Sequence, residues 1–220
     1  SAATIVGGLR DDEKLQQIAK PLIGTPLAVR VLRRARDTDR LDTALLLAGL
    51  AAATAGDVFM IRSDDDRRLL RGASSFAVMQ AAYSTLLVRR GARPSPSVVA
   101  QRAAAVLGAA GLLGAKNPSV AAPLTGYGTL LATTATLAAD PALVPGARQV
   151  ARMVVPGADR RSWPALGGLA FTVSDGTIVL RRTLLKNETA RAAAEGFVLV
   201  TYAAAQLMLV EGMLALARRD

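Results

Sequence analysis

The chain contains no cysteine and no histidine, and only 4% of its 220 residues are aromatic. Without cysteine there is no disulfide bond, no thiolate nucleophile and no cysteine-ligated metal. Without histidine the chain lacks the usual general base and the commonest zinc ligand. Any chemistry must therefore be carried by carboxylates, hydroxyls, amides, lysine or arginine, and we expect neither a metal nor a cofactor.

Charge is scarce in several long apolar runs and concentrated between them. The composition is 51% hydrophobic with a mean hydropathy of +0.32, although 20% of the residues are charged. The stretches 42–61, 164–180 and 192–217 carry at most two acidic residues each, and arginines cluster between them. This block pattern is typical of membrane spans and loops. The net charge of +10 would also suit a nucleic-acid partner, but no basic groove studded with aromatics and no nucleic-acid motif occurs, so we expect no nucleic acid.

The apolar segments predict an all-α, polytopic membrane helix bundle. The candidate spans are 15–32, 41–61, 69–88, 97–115, 119–139, 163–180 and 192–217. The apolar run 1–9 is too short to cross about 30 Å of hydrocarbon, and we interpret it as the end of a first helix that is incomplete in this chain. We therefore expect about eight transmembrane helices in a single domain, 1–220. Small residues, as in "GAAGLLG" (108–114), favour close helix packing.

The one long connection and the loop charges complete the predicted topology. Within the linker 140–163, "PGARQVARMVVPG" (145–157) suits either a short interfacial helix or an ordinary polar loop. If every segment crosses, the loops on one side carry 11 Lys and Arg and those on the other carry 15, the C-terminus included. This bias places the C-terminus in the cytoplasm.

Five ionisable residues fall within or near the ends of the predicted spans: Lys20, Asp57, Asp175, Glu195 and Glu211. Ionisable groups at membrane depth are expensive, usually face the bundle interior and indicate function by default. Simpler interpretations remain open for some of them. The two aspartates can pair with arginines near the headgroups, Lys20 can pair with an intramembrane aspartate, and Glu211 lies close to the basic C-terminus.

Further polar side chains share helix faces with these groups. Helical spacing of three, four or seven residues aligns two sets: Phe76, Gln80 and Tyr83, and Glu195, Tyr202 and Gln206. A polar stripe on an apolar helix is expected to face protein rather than lipid. Interhelical hydrogen bonding without chemistry is the alternative interpretation.

In their order along the chain, these residues resemble the lysoplasmalogenase family, the YhhN-like multi-pass membrane proteins. The matching pieces are "AKPL" (19–22), "GD" (56–57), Phe76 with Tyr83, "AFTVSD" (170–175) and "TYAAAQ" (201–206). The resemblance implies an eight-helix membrane protein that hydrolyses the vinyl ether bond of lysoplasmalogens to a fatty aldehyde and a glycerophospho-headgroup. Where the family pattern usually has histidine, between the Phe and the Tyr, this chain has Gln80, which cannot take up a proton.

Vinyl ether hydrolysis begins with protonation of carbon to give an oxocarbenium ion, to which water adds. It needs an acid that keeps its proton near neutral pH and an anion that stabilises the cation, as in carboxylate-pair glycosidases. Burial raises the pKa of a carboxyl group, and two nearby carboxylates push their pKa values apart. We therefore hypothesise catalysis by Asp57 and Asp175, with Asp175 as proton donor, although the sequence leaves the two roles interchangeable. The residues expected to position the substrate and carboxylates are Lys20, Gln80, Tyr83, Ser174, Tyr202 and Gln206.

Two other functions are compatible with the same residues. A non-catalytic protein of this fold could bind or transport lipid, since loop arginines can hold phosphate headgroups. A proton-coupled transporter would also use buried carboxylates, but we see no internal repeat of the kind that such folds show. The expected partners are a lysophospholipid or other ether lipid and the bilayer, in a bacterial cell membrane. The lipid itself and the oligomeric state are left open.

Overall fold

The computed structural model describes residues 21–62 and 65–219. Within them the chain forms seven α-helices: α1 (Pro21–Arg34), α2 (Arg40–Phe59), α3 (Asp66–Arg89), α4 (Pro96–Lys116), α5 (Pro118–Ala138), α6 (Trp163–Thr183) and α7 (Glu188–Leu216). The predicted helical class is confirmed, and the segments predicted from residue 41 onward each correspond to one helix. Lys20 and the apolar run 1–9 lie outside the described residues.

Local sequence signals explain where these helices begin. Asp39 caps α2 by accepting hydrogen bonds from the backbone N–H groups of residues 41 and 42, at 2.9 and 3.1 Å. Asp65 and Asn187 cap α3 and α7 in the same way. Prolines occupy the first turns of α4, α5 and α6, where a missing N–H costs no helical hydrogen bond. Polar caps and prolines therefore set the boundaries of the apolar runs.

Contacts between helix ends show that the helices run alternately up and down. At one end, Asp42 of α2 accepts from Arg89 at the end of α3, and the Asp39 N–H donates to the carbonyl of Ala217 just after α7. We call this the C-terminal end. At the opposite end, Asp66 of α3 accepts from Ser119 of α5 and from Arg182 of α6. This alternation is what consecutive membrane crossings require.

Three helices of the described part of the chain are long and apolar enough to cross a membrane, namely α2, α4 and α7. A membrane helix bundle is therefore supported, whereas the predicted count of eight spans is not confirmed. The outward faces carry exposed apolar side chains such as Leu107, Val78 and Val200. Such residues suit contact with lipid tails.

Of the two alternatives left open for 145–157, the interfacial helix does not form, and the segment is a loop that contains a β-hairpin. Gln149–Val150 and Met153–Val154 form a two-stranded antiparallel ribbon in which Gln149 pairs with Val154. Ala151 and Arg152 between the strands have φ values of 49° and 63°, as the two central residues of a tight hairpin turn require. Proline-glycine pairs bound the segment on both sides, and its valines favour strand over helix.

Close helix packing occurs at other glycines than those of "GAAGLLG". A Cβ atom at Gly108, Gly111 or Gly114 would have no described neighbour within 4 Å. At Gly49 it would lie 2.9 Å from Cδ1 of Tyr83 and closer still to Cε1. The contact between α2 and α3 therefore depends on the lack of a side chain at Gly49, whereas no described contact of α4 depends on its glycines.

Candidate functional site

Asp57 lies in the last turn of α2 and is buried, with 5% of its surface exposed. Its Oδ2 accepts a hydrogen bond from the hydroxyl of Tyr202 on α7, at 3.0 Å. The preceding residue, Gly56, lets the ring of Phe76 approach, because a Cβ there would lie 3.0 Å from that ring. Arg62 is the nearby arginine with which Asp57 could pair near the headgroups, but its side chain lies outside the described residues. The "GD" pair therefore brings a carboxylate and an aromatic ring together.

The polar stripes of α3 and α7 meet at Gln206. Its Nε2 donates to the hydroxyl of Tyr202 at 3.2 Å and to Sδ of Met79 at 3.1 Å. Its Oε1 accepts from the hydroxyl of Tyr83 at 3.3 Å. All four side chains are buried. The network therefore connects Tyr83 to Asp57 through Gln206 and Tyr202, inside the bundle as the helical spacing predicted.

Asp175 lies on α6 and accepts a short hydrogen bond from the hydroxyl of Tyr127 on α5. Tyr127 is not among the site residues predicted from the sequence, because it lies in a segment without other ionisable groups. The scarcity of tyrosine could have indicated it, since the chain has only three tyrosines and the other two are predicted site residues. Each aspartate thus receives a hydrogen bond from a tyrosine on a different helix.

The two aspartates line one small cavity of about 40 Å³. Ser174, Glu195 and Tyr202 supply its other polar groups, and Phe76 and Ile178 are among its apolar walls. A cavity of this size has room for a water molecule. The structure therefore brings together two carboxylates that are 118 positions apart in the sequence.

A second, larger cavity of about 190 Å³ adjoins the small one between α3, α4, α5 and α6. Its walls are mostly apolar, with Tyr127, Asp175, Arg102 and Arg182 among the polar exceptions. Residues common to both cavities are Met60, Phe76, Asp175 and Ile178. Asp175 therefore lies at the junction between a polar space and an apolar one. Arg102 is a further residue that the sequence analysis did not select.

Three aromatic rings from three helices pack together beside the small cavity, which Phe76 and Tyr202 line. Phe76, Phe171 and Tyr202 make mutual edge-to-face contacts, with centroids 5.6 to 6.1 Å apart. Edge-to-face pairs add stabilisation beyond area burial. The cluster fixes the ring of Tyr202, and with it the hydroxyl that reaches Asp57.

The remaining predicted site residues lie close to this network or outside it. Ser174 lines the small cavity and donates to the backbone carbonyl of Val198 at 3.2 Å. Gln80 is fully buried beside Tyr127. Among the described residues, however, neither atom of its amide makes a hydrogen bond of ordinary geometry. Lys20 falls outside the described residues.

The two glutamates form ion pairs with residues of other helices. Glu195 lies at the small cavity and pairs with Arg181 at 3.4 Å. Glu211 was expected at the interface beside Arg218 and Arg219, but it is buried and pairs with Arg30 and Arg160 instead. Tertiary packing brings these two arginines closer to Glu211 than the chain terminus is. In the described part of the chain, no group of three or more potential ligands is placed to hold a metal ion.

Comparison with protein families finds a match over most of the chain. The model of the YhhN family matches residues 15–213, which include both aspartates and all three tyrosines. Comparisons with curated proteins and with solved structures find no significant match.

Proposed function

Since the chain belongs to the YhhN family of lysoplasmalogenase-like membrane proteins, we propose that it hydrolyses the vinyl ether bond of lysoplasmalogen-type lysophospholipids. The products are a fatty aldehyde and a glycerophospho-headgroup. The observation that carries this proposal is the shared cavity of Asp57 and Asp175, which adjoins a larger apolar cavity.

The reaction consumes one water and needs no cofactor. A proton adds to the alkenyl carbon that is not bonded to oxygen, and the ether-bearing carbon becomes an oxocarbenium ion. Water adds to that carbon and loses a proton, which gives a hemiacetal. Collapse of the hemiacetal breaks the bond between this carbon and the glycerol oxygen. The hemiacetal hydroxyl gives up its proton as it becomes the aldehyde carbonyl, and the released alcohol takes up a proton. The reaction therefore needs two groups: an acid that donates the first proton and later acts as a base, and an anion that stabilises the oxocarbenium ion.

Asp175 is the better proton donor of the two aspartates on geometric grounds. It borders both cavities, so a substrate whose chain fills the apolar cavity presents its first carbons to this carboxyl group. Asp57 borders only the polar cavity. There it stabilises the cation and accepts a proton from the attacking water. Neither role requires the histidine that Gln80 replaces.

The hydroxyls of Tyr127 and Tyr202 orient the two carboxylates, to which they donate. Tyr83 is one step more remote, because its hydroxyl bonds to Gln206 and not to an aspartate. Ser174 and Gln206 hold the surrounding backbone and tyrosine in position. We further propose a bacterial cell membrane location with a cytoplasmic C-terminus.

The test is incubation of the purified protein with 1-alkenyl, 1-alkyl and 1-acyl lysophospholipids, with mass spectrometry of the products. We expect aldehyde from the alkenyl lipid alone. In D₂O that aldehyde carries one deuterium on the carbon beside the carbonyl, because protonation of carbon is part of the reaction. We expect Asp175→Asn and Asp57→Asn each to lower kcat at least about 100-fold, the usual scale for loss of an acid or base.

Asp65→Asn is the matched control, because Asp65 caps α3 at the same end of the bundle and asparagine caps equally well. Full activity in both active-site variants would refute the mechanism. Lysolipid binding without release of aldehyde or fatty acid would favour the non-catalytic lipid-binding function instead.

A further inference from the structure

A third cavity lies at the C-terminal end of the bundle, away from the aspartates. Its volume is about 650 Å³, and it shares no lining residue with the two cavities described above. Its walls come from the end of α1, the segment 158–161 before α6, and the end of α7. It is therefore a separate space, outside the proposed reaction site.

Arginine dominates the charge of this cavity. Five of its lining residues are cationic, namely Arg30, Arg34, Arg160, Arg161 and Arg218. Three are acidic, namely Asp37, Asp159 and Glu211. The lining therefore carries a net formal charge of +2 if every group is ionised. That charge would be neutralised by a dianion.

Glu211 fixes two of these arginines. It is buried, and its Oε2 accepts from Nη2 of Arg30 at 2.9 Å and from Nη1 of Arg160 at 3.0 Å. The arginine side chains are 42% and 50% exposed. A guanidinium has five N–H donors, so each arginine keeps donors that Glu211 does not use. Arg160 also lies over the ring of Trp163, 5.3 Å from its centroid, which restricts its position further.

The other three arginines of the cavity differ in whether a carboxylate pairs with them. Arg161 donates two hydrogen bonds to Oδ2 of Asp159, at 2.7 and 2.9 Å, and holds the pKa of that carboxyl below its ordinary value. Asp159 therefore stays ionised and offsets one arginine. The guanidinium groups of Arg34 and Arg218 have no carboxylate partner among the described residues. Their donors are therefore available to a ligand, and Asp37 is the lining carboxylate that remains to offset them.

We propose that this cavity, which we call the arginine cavity, binds a phosphate group in its dianionic, phosphomonoester-like form. Guanidinium forks match tetrahedral oxyanions because they can donate two parallel hydrogen bonds. The loop charges predict that this end faces the cytoplasm, where anionic headgroups are abundant. The same chemistry suits a phosphatidic acid headgroup in the adjoining leaflet or phosphate from solution.

The experiment measures the thermal stability of the purified full chain with two probes. One arm adds inorganic phosphate to the protein in neutral detergent, against chloride at matched ionic strength. The other compares nanodiscs of phosphatidylcholine with nanodiscs that also contain phosphatidic acid. A ligand that binds the folded state raises Tm with concentration. We expect a saturable rise in at least one arm.

The variant pair Arg34→Gln/Arg218→Gln removes the two lining guanidinium groups that have no carboxylate partner among the described residues. We expect the affinity for the effective probe to fall at least roughly tenfold, as loss of hydrogen bonds to a charged group implies. The control pair Arg33→Gln/Arg36→Gln removes two exposed arginines of the same end that do not line the cavity. Its affinity should stay within about twofold of the parent. Arg34→Gln alone serves if the first pair does not fold.

A rise with inorganic phosphate in detergent identifies a soluble ligand, and a rise confined to phosphatidic acid identifies a lipid headgroup. Both support a phosphate site. The proposal is overturned if neither probe stabilises the parent beyond its control, or if the control pair loses as much affinity as Arg34→Gln/Arg218→Gln. Either result leaves the proposed hydrolysis untouched, since no residue of the aspartate cavities is changed.

Discussion

At the scale of single residues, the site is defined by which buried polar atoms have partners. Asp57 and Asp175 each accept a hydrogen bond from a tyrosine, whereas the amide of Gln80 makes no hydrogen bond of ordinary geometry within the described chain. Buried polar groups cost free energy unless they are hydrogen-bonded. Substitutions at these positions should therefore separate residues that act in the reaction from residues that only occupy space.

Tyr127→Phe should lower kcat about tenfold with little change in KM. The ring is kept, but Asp175 loses the hydroxyl donor that stabilises its carboxylate as the charge develops during proton transfer. A hydrogen bond to a charged group contributes about 1.5 to 3 kcal/mol. The measurement is steady-state kinetics of aldehyde release. Tyr83→Phe is the comparison, because its hydroxyl bonds to Gln206. An equal loss of kcat in both variants would contradict a specific role for Tyr127.

Gln206→Leu should lower stability far more than Gln80→Leu. Gln206 makes three side-chain hydrogen bonds, and its loss leaves two tyrosine hydroxyls short of a partner. We expect the free energy of unfolding to fall by about 2 to 3 kcal/mol. Gln80→Leu should change it by less than about 1 kcal/mol in either direction. Reversible unfolding in mixed micelles measures both, and a larger loss for Gln80→Leu would show that its amide is satisfied.

At the scale of helices, the bundle depends on a few positions where two backbones come close. Gly212 of α7 lies against Pro164 of α6, and Gly168 of α6 lies against Ala135 of α5. Tyr83 of α3 fills the space beside Gly49 of α2. Closely packed interiors do not accept an added methyl group without displacement of their neighbours. The glycines of α4 have no such neighbour.

Gly49→Ala should therefore lower the free energy of unfolding by about 1 to 3 kcal/mol. The added methyl group meets the ring of Tyr83 and displaces the hydroxyl that bonds to Gln206. Gly111→Ala is the matched control, because open space surrounds its Cβ position and alanine is the better helix former by about 1 kcal/mol. Thermal unfolding compares the two, and equal stability would contradict the predicted clash.

At the scale of the whole molecule, the alternating direction of the helices predicts which of them cross the membrane. Three of the described helices are long and apolar enough, but the contacts between helix ends require the others to follow the same up-and-down path. A helix buried in a bundle can cross with more polar residues than one exposed to lipid. The topology therefore predicts that α3, α5 and α6 also cross.

The absence of cysteine makes this prediction simple to test. Four single-cysteine variants are needed. Arg93→Cys and Ala158→Cys place the thiol at the C-terminal end of the bundle, and Lys116→Cys and Lys186→Cys place it at the opposite end. All four positions are exposed. We expect a membrane-impermeant maleimide to label the second pair in intact cells and the first pair only in inverted vesicles. Labelling of all four positions from one side would contradict the crossings.

The positions of six helices and the candidate site residues follow from the sequence alone. The apolar runs predicted six helices to within four residues at each end, because a long apolar run is a local feature of the sequence. Helical spacing likewise predicted the inward face shared by Tyr202 and Gln206, since that periodicity is intrinsic to the helix. The ordered motifs also led to the family before any contact was known.

Which of these residues come into contact depends on how the helices pack. No local signal shows that Tyr127 donates to Asp175, that Asp57 and Asp175 border one cavity, or that Glu211 pairs with Arg30 and Arg160. These contacts join residues 48 to 181 positions apart. They arise from how helices pack, which depends on the shapes of many side chains at once. The hairpin at 149–154 is different, because local sequence explains it: proline-glycine pairs bound the segment and its valines favour strand over helix.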